Sequence, residues 1–132
     1  MEERNESGYS EGRKHTMTAN ELRIGNWVKL KDSPTTPYWQ VESVGNLIMV
    51  GGQLWSIEEI EPIPLTEEWL VKFGFRQLAN IWEFWGNSEW NLYKDGGWYL
   101  LNGYICVDCI EIKHVNQLQN LFHALTGEEL KI

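Results

Sequence analysis

Cys106-Val107-Asp108-Cys109 is the spacing in this chain that most invites metal or redox chemistry. Two thiolates three residues apart can share a zinc ion, and His114 and His123 would complete four ligands. The motif falls inside a strand pattern, however, where residues three apart face opposite sides. A thioredoxin-like pair would instead open a helix after a strand. The two cysteines are therefore expected to pack as small side chains, with no metal and no cofactor. His114 and His123 could serve as general bases. No serine, cysteine or carboxylate stands near them in a triad-like arrangement, so a hydrolase built on His114 or on Cys106/Cys109 is the weakest reading. The doublets Glu58-Glu59, Glu67-Glu68 and Glu128-Glu129 do not make a glycosidase dyad, because adjacent residues do not share a face. Gly51-Gly52 and Gly96-Gly97 match no phosphate-binding loop and read as turns.

The aromatic residues are the stronger candidates. Eight of 132 residues are tryptophan. Indole fills a core or anchors an interface. Trp82 and Phe84 share one strand face, with Ile81, Glu83 and Trp85 on the other. Trp90 and Leu92 oppose Asn91 and Tyr93, and Trp98 and Leu100 oppose Tyr99 and Leu101. Both faces of the expected sheet carry aromatics, yet one helix covers one face. The expected binding residues are Trp82, Trp85, Trp90 and Tyr93, together with Tyr38 and Trp39 after a proline-rich loop. They could stack a nucleotide-like molecule, with turn N–H groups holding phosphate, or cover a partner protein.

Composition narrows the classes. The net charge is −8, which repels phosphate backbones and disfavours nucleic acid as a partner. No apolar run reaches the ~18 residues of a membrane span. The first residues lack an apolar signal region, so a cytoplasmic location is expected.

The elements that must position these residues follow from periodicity. Residues 1–17 are polar and read as a disordered leader. Residues 18–132 read as one α+β domain. A barrel-like half, residues 18–64, is expected as an SH3-like barrel or meander with strands at 26–31, 38–44, 47–50 and 53–56. Residues 57–64 read as a connector without regular structure, because of Pro62 and Pro64. A half of helix, meander and helix, residues 65–132, is expected to follow. Its first helix spans 67–73, with Thr66 as cap. Strands follow at 75–78, 81–85, 89–93, 98–101 and 104–112. An amphipathic helix at 114–125 closes the chain, with Val115, Leu118, Leu121, Phe122 and Leu125 on one stripe. Asn116, Gln117, Gln119 and Asn120 fall mostly on the other.

Three segments carry a resemblance. They are Leu22-Arg23-Ile24-Gly25-Asn26-Trp27-Val28, the run 61–75 with Pro62-Ile63-Pro64-Leu65-Thr66-Glu67-Glu68-Trp69, and the run 112–130 with His114-Val115-Asn116-Gln117-Leu118. The chain resembles a family of short uncharacterised proteins found in gut-type bacterial genomes, their phages and mobile elements. The resemblance implies a non-enzymatic binding protein, with a counter-defence role that sequesters a nucleotide-like signal or blocks a host protein. The alternative is a homo-oligomer with a structural or assembly role, joined through the second aromatic face.

Overall fold

The computed structural model describes residues 17–31, 38–79, 81–84, 90–102 and 105–132, leaving aside the side chains of 107–109. Strands form where β-branched and aromatic residues alternate between short polar turns. In the N-terminal half these are β1 (Trp27–Leu30), β2 (Trp39–Val44), β3 (Ile48–Val50), β4 (Gln53–Trp55) and β5 (Ile60–Glu61). All neighbours are antiparallel, in the order β4-β3-β2-β1-β5. Val28, Val41, Ile48, Val50 and Ile60 point into a small core of their own.

The connector is more regular than its prolines suggest. Ile57–Glu59 is a 3-10 turn, closed by the Glu59 carboxylate accepting from the Ser56 N–H and hydroxyl. Ile60 and Glu61 then pair with Leu30 and Lys29 of β1. Pro62 stops that strand after two residues. Pro64 still bridges to His114, because the bonds use its neighbours' groups. The Leu65 N–H donates to the Lys113 carbonyl at 3.0 Å, and the Val115 N–H donates to the Ile63 carbonyl at 2.8 Å.

The C-terminal half comprises α1 (Glu67–Lys72), β6 (Phe75–Leu78), β7 (Ile81–Phe84), β8 (Trp90–Lys94), β9 (Trp98–Asn102), β10 (Ile105–Ile112) and α2 (Val115–Thr126). Its five strands run as an antiparallel meander, β10-β9-β8-β7-β6. The whole is an α+β fold. Val115, Leu118 and Phe122 of α2 join Leu92, Leu100, Ile112, the α1 residues Trp69 and Leu70, and Phe73 just after α1 in the larger core. Leu130 is also buried there, whereas Ile132 is exposed. The expected leader lies outside the described residues except for Met17, which is 3% exposed in the N-terminal core. The fold therefore reaches at least one residue earlier than the polar composition indicates.

The amide stripe of α2 is not a solvent face. Gln119 is 1% exposed and Asn116 5%. Gln119 Oε1 accepts from the Trp27 N–H at 2.9 Å, and its Nε2 donates to the Gly25 carbonyl at 3.1 Å. Asn120 Nδ2 donates to the Glu21 carbonyl at 2.9 Å, and its Oδ1 accepts from Asn26 Nδ2, also at 2.9 Å. Asn26 is fully buried, and its Oδ1 takes the Arg23 N–H at 2.7 Å. The helix is thus held on both sides, by apolar packing against one sheet and by amides against the segment that leads into β1.

Candidate functional site

Strand alternation decides where the aromatic candidates go. Trp82, Trp90 and Trp98 occupy the face of the C-terminal sheet that α2 covers, and all three are buried. Trp82 meets Trp98 edge-on with ring centres 6.4 Å apart, and Trp90 meets Phe122 of α2 at the same separation. Phe84 lies 5.0 Å from Phe122. These indoles all point to a single face and are buried in the core that residues of α1 and α2 share. Trp82 and Trp90 therefore offer no free ring for stacking, and the expected face of Trp82, Trp90 and Tyr93 is not brought together. Trp85 lies outside the described residues.

The two residues beside the proline-rich loop also separate. Tyr38 stacks edge-on against Trp69 at 5.1 Å, and Trp27 lies 5.8 Å from the same indole. This aromatic seam joins the two halves. Trp39 instead packs on the N-terminal core, with its ring against Gly51. The Gly51 φ of +61° favours glycine, and the ring approaches so closely that a Cβ there would sit 2.9 Å from it.

Tyr93 is the candidate left in the open, at 36% exposed. The ladder places it in a row that crosses all five strands: Leu78 beside Ile81, Ile81 beside Tyr93, Tyr93 beside Tyr99, and Tyr99 beside Glu111. A second row holds Arg76, Glu83, Asn91, Leu101 and Cys106. Arg76 and Glu83 approach to 3.8 Å. Leu78 is exposed, and Ile81, Tyr99 and Leu101 are half-buried members of neither core. The composition of this row was readable from alternation, but its register was not, because register depends on which turns close each hairpin.

A concave feature lies at the mouth of α2. The Ala19–Glu21 turn, Pro62 and the first turn of α2 border a cleft of about 410 Å³. Polar groups dominate its wall: Glu21, Glu111, Lys113, His114, Asn116 and Gln117. Of these, the sequence singled out His114 alone, as a candidate zinc ligand or general base, and none was among the expected binding residues. Glu111 rests its carboxylate against Gly97, in the space a Cβ would take.

The remaining chemical candidates are dispersed. Cys106 is a half-buried cysteine on β10, and the Cys109 side chain lies outside the described atoms. His114 precedes α2, while His123 sits in its last turn, 3.7 Å from Glu129. Glu129 also makes a two-pronged pair with Arg23 at 2.9–3.0 Å. Glu67 pairs with Lys94 at 3.6 Å. Among the described residues no group of three His, Cys, Asp or Glu is placed to hold a metal ion. No described helix is long and apolar enough to cross a membrane. Comparison with protein-family models, curated proteins and solved structures returned no match.

Proposed function

We propose that this protein is a non-enzymatic binding module that docks a partner protein on the open face of its C-terminal sheet. The observation that carries this reading is the row Leu78-Ile81-Tyr93-Tyr99, in register across four strands on the face turned away from α2. Tyrosine gives large contact area at low entropic cost and suits an interface that must also meet water. The chain's net charge of −8 favours a neutral or basic protein surface over a polyphosphate ligand. The resemblance to phage and mobile-element proteins makes the partner a bacterial host protein, blocked as an act of counter-defence.

The test compares three purified chains against host extract: wild type, Leu78→Lys/Tyr93→Glu, and the control Leu54→Lys on the exposed edge strand β4. A specific host protein should be retained by wild type and control, then bind the face variant at least tenfold more weakly once purified. Equal binding by the face variant would overturn the reading. Quenching of tryptophan fluorescence by a nucleotide panel would replace the protein partner with a small molecule. A wild-type dimer that the face variant dissociates would replace it with a second copy.

A further inference from the structure

Tyr93 and Tyr99 are the described aromatic residues that join neither core, and neither ring meets another described aromatic. The ladder sets them side by side on β8 and β9, and sets Glu111 of β10 on the far side of Tyr99. Directly paired residues of an antiparallel sheet hold their Cβ atoms about 4.5–5.5 Å apart. Two phenol rings and a carboxylate therefore stand in a line roughly 10 Å long, the width of two strand spacings.

The carboxylate end of this line is negative and unpaired. Glu111 rests its carboxylate against Gly97, where any Cβ would displace it. Gly97 has no positive φ to account for a glycine, unlike Gly96 beside it, so the close approach of Glu111 is the feature that needs one. Yet the carboxylate makes no hydrogen bond or ion pair with a described residue. The two cations of the sheet are engaged elsewhere, Arg76 with Glu83 and Lys94 with Glu67. Asp95 shares the turn with Gly97, its N–H donating to the Gly97 carbonyl at 2.9 Å, and brings a second negative charge to that end. The whole chain, at −8, adds to the same field.

Aromatic faces attract cations, and a carboxylate beside them fixes where the charge sits. Lysine would answer the charge alone. Arginine answers the shape as well: its flat guanidinium stacks on a ring, and its fork matches both carboxylate oxygens. A second copy of this chain is a poor source, because Arg23 and Arg76 are each paired already with Glu129 and Glu83.

We propose that the docked partner anchors itself here through an arginine. Its guanidinium lies against the Tyr99 ring and pairs with the Glu111 carboxylate, while its methylenes run over Tyr93. This inference rests on the docking reading of the open face and names the side chain that the face receives.

The probe is a capped tripeptide of arginine between two glycines, titrated into the full chain at low salt. Lysine and citrulline versions are the controls. NMR follows the ring signals of Tyr93 and Tyr99 and the side-chain carboxyl carbon of Glu111. The arginine peptide should move all three and bind at least fivefold more tightly than either control. Glu111→Gln and Tyr99→Leu should each weaken it at least fivefold, while Leu54→Lys leaves it unchanged. Both substituted residues lie outside the two cores, so the variants should melt like wild type. Three outcomes overturn the arginine anchor: the signals stay unmoved, a control peptide binds equally well, or Glu111→Gln binds as wild type does. If the peptide fails while a host protein still discriminates Leu78→Lys/Tyr93→Glu from wild type, the arginine falls and the docking reading stands. If no host protein discriminates that variant, the docking reading falls whatever the peptide does.

Discussion

Gln119 is a side chain that behaves as a peptide group. It offers one acceptor and one donor to the Gly25 and Trp27 backbone, as a neighbouring strand would. Gln119→Ala should destabilise the protein by about 1–3 kcal/mol, since it strands a buried Trp27 N–H. The Gly25 carbonyl keeps its bond from Gln40, which limits the loss. Urea unfolding monitored by tryptophan fluorescence checks the size. Gly51→Ala should cost about 1–2 kcal/mol by forcing an L residue to positive φ, with a further loss from displacing Trp39. Arg23 and Glu129 are both partly exposed, so a double-mutant cycle on that pair should return less than about 1 kcal/mol despite its two-pronged geometry.

At the scale of elements, most strands were legible because alternation and turn residues agree. Residues 75–78 match β6, and the other strand ends move by a residue or so. The short strand β5 was hidden because two residues cannot show a period. The face that α2 covers was harder. Alternation says which residues share a face, but the choice between faces depends on where the helix lands. The burial of the amide stripe was not read from the sequence, because polar usually means solvated. The clue lay in what it lacks: apart from His123, the helix carries no ionisable residue. A wet helical face normally draws on lysine and glutamate, whereas amides without charges suit a buried, paired surface. Leu118→Ala on the opposite stripe should cost about 2–5 kcal/mol, because the residue is fully enclosed and the surroundings of such a cavity relax only in part. Calorimetric melting measures it.

For the molecule as a whole, the two candidate sites differ in kind. The open sheet face sets the row Leu78-Ile81-Tyr93-Tyr99 beside the Arg76–Glu83 pair, and the cleft is concave with a largely polar lining. Leu78→Lys/Tyr93→Glu should leave stability within about 0.5 kcal/mol of wild type, since exposed positions contribute little to folding. The same melting curves used for Leu118→Ala decide this, and a large loss would mean that the face supports the fold. Of the five expected binding residues that the structure describes, only Tyr93 is placed in the open. Composition could count tryptophans but could not tell that the buried ones in the meander share a side.

The pairing of Gln119 with Gly25 and Trp27 also removes a freedom that grease alone would leave. Leucine and phenylalanine tolerate a helix turning a little about its axis. Two hydrogen bonds to fixed backbone atoms do not, and a turn of one residue would bring Leu118 or Asn120 to that place instead. The N-terminal half therefore meets α2 in a single rotational setting, which the Asn120 bonds to Glu21 and Asn26 share, so the relative orientation of the two sheets is written in side-chain amides.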